Sequence, residues 1–157
     1  MSVDQLSFRK TMGCFASGVT VVTARTGQGR PVGLTVNAFS SLSLAPPLVL
    51  VCLDHRVAHL EAFRAGPFVV NMLTEAQRDL SQRFAEKRED RFDGVDYVDG
   101  RNGVPVLSGG LAWVECETQE VVTGGDHDII IGAVTHVAHQ AAARPLVYFR
   151  GDYAGLA

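Results

Sequence analysis

Gly33-Leu-Thr-Val-Asn-Ala-Phe-Ser-Ser-Leu-Ser-Leu-Ala-Pro-Pro-Leu-Val-Leu-Val-Cys-Leu-Asp54 is the stretch whose reading decides the fold. Two apolar, β-prone runs, Leu34 to Phe39 and Leu48 to Leu53, flank a hydroxyl-rich segment that Pro46-Pro47 closes. The pattern predicts two strands with a polar turn between them. Strands bury their faces, so hydroxyls concentrated between two of them need another reason to be there. Small side chains and free backbone N–H groups at a strand end can grip a flat, anionic ligand.

Upstream, Val19-Thr-Val-Val-Thr-Ala24 is β-branched and reads as a strand; Gly27-Gln-Gly-Arg-Pro31 is a turn, and Val32 onward is its hairpin partner. Asp4 can cap a helix with Phe8, Met12 and Phe15 at helical spacing, ending near Ala16 because Gly13 and Gly18 weaken it. Downstream, Asp54 is placed to cap a helix carrying Val57, Leu60 and Phe63, which Gly66-Pro67 stops. Phe68 to Met72 is a short strand, and Thr74-Glu-Ala-Gln77 has capping-box spacing ahead of a helix with Leu80 and Phe84 on one face. The charge run Ala85 to Arg91 reads as a solvated helix end, and Gly94 to Gly110 as loop. Leu111 to Val122 is a long strand with Ala112, Val114, Cys116 and Thr118 on one face; Gly124 to Asp128 is a turn; Ile129 to Val137 and Pro145 to Phe149 are further strands.

That amounts to about seven strands and three short helices, joined mostly by hairpins and without βαβ alternation. The expected class is mainly β: a single domain over residues 1–157 forming a small closed or nearly closed antiparallel barrel, since closure removes exposed edges.

Bulk properties narrow the function. A hydrophobic fraction of 46% against 20% charged residues describes a packed domain. A formal net charge of -3 lacks the basic footprint of a nucleic-acid binder. Cys14, Cys52 and Cys116 are widely spaced, which fits reduced core thiols in the cytoplasm better than a disulfide or zinc framework. The N-terminus has no signal-peptide pattern, and the apolar runs fall short of the ~20 residues of a membrane span. The expected location is cytoplasmic.

Several reaction centres are missing. Gly27-x-Gly-x-x-x-Gly33 has the wrong spacing for a dinucleotide fingerprint and leads into a strand. No phosphate loop and no Gly-x-Ser-x-Gly nucleophile elbow occur. His55 and His59 stand four apart on an expected helix, but Arg-Val-Ala between them lacks a zinc protease's glutamate, so no metal site is expected.

Five segments occur in an order that resembles one family: Phe15-Ala-Ser-Gly-Val-Thr-Val-Val-Thr23; Gly33 to Ser41 with Pro46-Pro47-Leu48-Val49; Arg83-Phe-Ala-Glu-Lys87; Arg91-Phe92; and Gly125-Asp-His127. Together they resemble the flavin reductases with a split-barrel FMN-binding fold, including reductase components of two-component monooxygenases. The resemblance runs from about Phe8 to Tyr153. It implies a homodimer of antiparallel split β-barrels with a few short helices, binding FMN or FAD. NADH or NADPH would supply the hydride, and a partner flavin-dependent monooxygenase would receive the reduced flavin.

The same resemblance implies roles. Thr35, Val36, Asn37 and Ala38 would line the flavin ring, Asn37 standing where relatives often have serine, and Ser40 and Ser41 would bind its phosphate. Cys52, Leu53 and Asp54 would border the ring, with His59 near the flavin tail. Lys87 would pair with the phosphate, Phe84 three residues earlier reads as core ahead of a flavin contact, and Tyr153 would close over the nicotinamide. His127 is the expected catalytic residue, orienting the carboxamide or stabilising charge during transfer. Without the resemblance these residues read more plainly: serines capping their own turn, Cys52 as core, Asp54 as a helix cap, Lys87 solvated, and His127 bonded to Asp126 or Asp128. Asp152, where relatives often carry a base, leans mildly to NADH over NADPH. Two further readings fit the same residues: a self-contained flavoenzyme with tightly bound FMN acting on an organic substrate, and a non-catalytic flavin-binding or interaction subunit.

Overall fold

The computed structural model describes residues 2–157. Its strands are β1 Ser17–Gly18, β2 Thr20–Arg25, β3 Pro31–Val36, β4 Phe39–Leu44, β5 Pro47–Asp54, β6 Pro67–Met72, β7 Tyr97–Asp99, β8 Pro105–Leu107, β9 Ala112–Gly124, β10 His127–His139, β11 Val147–Phe149 and β12 Asp152–Ala154. Three helices accompany them: α1 Gln5–Met12, α2 Leu60–Ala65 and α3 Arg78–Ala85, the last preceded by a 3₁₀ turn, Glu75–Gln77. Every strand pairing is antiparallel. The main sheet has seven strands in the order β3-β2-β6-β9-β10-β5-β4; β1-β11-β12 and β7-β8 form two smaller sheets. The mainly antiparallel β class read from the sequence is therefore what the chain adopts.

β2 shows why its sequence is a β-branched run rather than an alternation. Val22 and Ala24 face one core, with Val51, Leu53, Phe63 and Phe68. Val21 and the preceding Val19 face another, with Leu73, Phe84 and Leu146. A strand covered on both faces has no use for polar positions except where a partner is at hand. Thr23 meets that condition, its hydroxyl donating to the Pro105 carbonyl at 2.6 Å. α2 plugs the first core with Leu60 and Phe63, and α3 lays Phe84 on the second.

Several expectations are corrected. The hydroxyl-rich segment is a strand, β4, pairing with β5 across a register shift between Ser41 and Ser43. The turn lies later, at the cis Ala45–Pro46 bond. An edge strand with one solvated side tolerates serines that a central strand would not. Gly94 to Gly110 contains the β7–β8 pair, and Val104 and Val106 from this segment pack with Val69 of β6. Asp54 caps no helix. Its carboxylate accepts the Arg56 N–H at 2.8 Å and the guanidinium at 2.7 Å, turning the chain so that α2 begins only at Leu60.

Asp4 does cap α1, accepting the Ser7 N–H at 2.9 Å, but the helix ends at Met12 and buries none of its residues. Phe8, Met12 and Phe15 are exposed, so their spacing marks a face that nothing within the described chain covers. Of the cysteines only Cys116 is buried; Cys52 is half-buried and Cys14 exposed. No helix among the described residues is long and apolar enough to cross a membrane.

Gly132 on β10 is the glycine with the tightest surroundings. A Cβ there would stand 2.5 Å from Phe68 Cζ and 2.9 Å from Cys116 Cβ. Gly132→Ala should destabilise the fold by about 1–3 kcal/mol through overpacking, read as a lower urea midpoint; an unchanged midpoint would contradict the packing described.

Candidate functional site

β3 is an edge of the main sheet, and its free side faces a cleft of about 600 Å³. Leu34 and Thr35 supply one wall. Asp54, Arg56, Val57 and Ala58 supply the opposite wall, and Phe84, Ala85, Lys87, Arg88, Glu89 and Arg91 the end of α3 and the loop beyond it. Arg91 Nη1 donates to the Gly33 carbonyl at 2.8 Å, so that carbonyl points away from β2. Antiparallel pairs alternate between bonded and non-bonded residues, so the Thr35 N–H and C=O face outward on the same side. The Thr35 hydroxyl is already committed to the Ser81 carbonyl, at 2.6 Å.

The charge run after α3 is bound rather than freely solvated. Irregular backbone leaves carbonyls that need donors, and arginine forks supply several at once. Arg83 reaches the carbonyls of Asp90, Arg91 and Asp93 at 2.9, 2.6 and 2.6 Å. Arg91 Nε reaches the Glu86 carbonyl at 2.8 Å, and Arg30 the Glu89 carbonyl at 2.8 Å. Of the four cations lining the cleft, Arg56 is paired with Asp54, Arg88 with Asp90 and Glu86, and Arg91 with backbone. Among the described residues no ion pair involves Lys87.

His127 sits directly opposite Asp54 in the β5–β10 ladder, so the two side chains share a face of the sheet, although His127 is not among the residues lining the cleft. Its Nδ1 lies 2.7 Å from Asp126 Oδ1, and that hydrogen bond draws the Asp126 carboxyl below its usual value. Asp54 is held well below the carboxylate range, first by its hydrogen bonds from Arg56. Asp128, one residue on, points the other way and is fully buried. Arg64 Nε meets it at 2.6 Å, His55 Nε2 at 2.9 Å and the Thr123 hydroxyl at 3.2 Å.

The structure gathers four of the expected ligand residues, Thr35, Asp54, Phe84 and Lys87, around one cleft, with Phe84 fully buried beneath its floor. Val36 and Leu53 lie in the core. Asn37 and Ala38 are exposed between β3 and β4, and the Ala38 carbonyl accepts the Cys52 N–H at 3.0 Å; burial pushes the Cys52 thiol up. Ser40 and Ser41 are exposed on β4, outside the cleft's lining. His59 is not on a helix face with His55; it precedes α2 with φ 61° and lines a different cavity, beside Arg25 and Glu61. Tyr153, on β12, lies at a cavity with Arg78, Gln82 and Asp152, and its hydroxyl is 2.7 Å from Ser81 Oγ. Ala85 lines both that cavity and the cleft.

Sequence reasoning missed Arg56, Val57, Ala58, Arg88 and Arg91 as lining residues. Arg91 stood in a quoted motif without a role, and the density of arginines beside a helix end was the available signal.

A family model described as "Flavin reductase like domain" matches residues 12–157. The chain is 46% identical over 151 residues to a Rhizobium meliloti protein named "Probable flavin reductase", covering 96% of this chain and 48% of that one. It is 41% identical over 157 residues to the reductase subunit HsaB of a flavin-dependent monooxygenase from Mycobacterium tuberculosis, covering 98% and 83%. The chain thus spans about half the length of the first relative and most of the second. Among solved structures, the Streptomyces globisporus NADH:FAD oxidoreductase SgcE6, in complex with NAD and FAD fragments, superimposes with a TM-score of 0.93 at 34% identity, covering 98% of this chain and 93% of that one.

The Asp128 carboxyl is held below its ordinary value of 3.8, first by the hydrogen bond from His55 and then by Arg64. A depressed carboxylate stabilises fully above its unfolded pKa, and that contribution is lost as pH falls through the folded one. Urea midpoints taken from about pH 7 to about pH 3 should fall less steeply in Asp128→Asn than in the parent protein; parallel curves would contradict the network.

Proposed function

The chain belongs to the flavin reductase family, and on that premise we propose that it is an NAD(P)H:flavin oxidoreductase. In this reading it reduces FMN or FAD by hydride transfer and supplies the reduced flavin to a partner flavin-dependent monooxygenase. The observation that carries it is the cleft along β3, where Lys87 has no ion-pair partner among the described residues and the Thr35 backbone faces outward. Those features fit a flavin: Leu34, Val57 and Ala58 offer apolar contact to a ring, the strand edge meets its polar rim, and Lys87 suits a phosphate. Bound flavin would accept the hydride of the nicotinamide and carry the electrons to the oxygenase.

The protein's part is to bind and to orient. His127, fixed through Nδ1 by Asp126, presents its remaining ring edge near Asp54, suited to orienting a carboxamide or answering a change of charge. Ser40, Ser41, Asn37, Ala38 and Cys52 extend the proposed site along β4 and β5, and Tyr153 would act from the far side of α3. The split barrel is the proposed finer description of the seven-stranded sheet. A homodimer is the proposed assembly, supported by the exposed Phe8, Met12, Phe15, Leu44 and Val137.

Purified protein with NADH or NADPH, and either catalytic or excess FMN or FAD, tests the reading. Nicotinamide oxidation that rises with free flavin is expected; no oxidation with either flavin would overturn it. His127→Ala should slow hydride transfer at least about ten-fold in single-turnover kinetics while flavin affinity stays within about two-fold. An unchanged rate would remove His127 from the chemistry.

A further inference from the structure

Beyond Asp54, the last residue of β5, the wall is irregular backbone, and irregular backbone holds its place only through specific bonds. Most of its bonds are internal: Arg56 closes on Asp54, and the Val57 N–H reaches the Asp54 carbonyl at 3.1 Å. Among the described residues, His55 is the one side chain of the 54–59 segment that hydrogen-bonds outside it. The residue as a whole is tied on both sides of His127: its backbone N–H donates to the Asp126 carbonyl at 3.0 Å, and its side-chain Nε2 lies 2.9 Å from Asp128 Oδ1.

The far end of that second bond is rigid. Asp128 has no exposed side-chain surface and is fixed by Arg64 from α2 at 2.6 Å and by Thr123 across the β9–β10 hairpin at 3.2 Å. Arg64 in turn holds Glu61 at 2.6 Å. For stability alone, apolar residues often serve such a position as well as a buried charge. What the carboxylate adds is direction, because it fixes the distance between the loop, α2 and the turn.

We infer that His55, acting through the buried Asp128 carboxylate, is a positioning residue that holds the Asp54–Ala58 wall in register with the start of β10, which carries His127. It touches neither flavin nor nicotinamide. It sets the spacing between two groups that do, and sub-ångström drift between reacting partners and their supports is costly in rate. The inference rests on the reductase reading above.

The test compares parent, His55→Ala and His55→Gln in steady-state NAD(P)H oxidation across free flavin, with thermal midpoints measured alongside. Glutamine can place an amide N–H where the imidazole N–H donates. His55→Ala should lower kcat about ten-fold and raise the flavin KM several-fold, and His55→Gln should recover most of both. A merely structural role would shift the thermal midpoint without that split or that rescue. Should His55→Ala not fold, His55→Asn, whose amide is too short to reach Asp128, takes its place with the same expectation. Parental kcat and KM in the truncated variant, or no recovery in His55→Gln, would overturn the inference alone. A parent protein with no flavin-dependent oxidation overturns it together with the reductase reading.

Discussion

An edge strand leaves half of its backbone polar groups without a strand partner, and the candidate site is built on that deficit. β3 ends the seven-stranded sheet, and its outward N–H and C=O groups must find water, a side chain or a ligand. Arg91 takes the Gly33 carbonyl and in doing so pins the loop after α3 against the strand. The next outward position, Thr35, remains open to the cleft. A hydrogen-bonding edge with apolar neighbours on one side and a cation on the other is what a flat, polar-rimmed anion requires.

The rest of the fold serves to bring distant segments to that edge. β5 pairs with β4 on one side and β10 on the other, so its last residue, Asp54, arrives beside His127. α3 lays Phe84 into the core and thereby places Ala85 and Lys87 at the cleft. α2, through Arg64, and the 54–59 loop, through His55, both converge on Asp128. The two walls are therefore fixed by different means: arginine-to-carbonyl bonds on the α3 side, and a buried carboxylate on the β5 side.

Much of this was legible in the sequence, for reasons that are local. The β2–β3 hairpin follows from a β-branched run and a glycine-proline turn, and the capping box at Thr74 forms with both of its bonds. β4 was hidden because serine has weak strand preference and an edge tolerates it, so a hydroxylated strand looks like a turn. The β7–β8 hairpin was masked by glycines and Pro105. α1 shows the opposite failure, since its apolar spacing predicts a buried face that the described chain does not provide. In the site, Lys87 and His127 carried meaning only through the ordered motifs. The Asp128 network joins residues 64 and 73 positions apart, and no periodicity within one element can encode it.

The central claim is that the cleft between β3, the end of α3 and Asp54–Ala58 is the flavin's seat. A crystal structure of the protein with FMN tests it most directly. The account predicts the ring against the outward edge of Thr35 with its phosphate beside Lys87, and His127 on the exposed side of the ring. Flavin density in the cavity beside Tyr153, or in the one beside His59, with the β3 cleft empty, would contradict it.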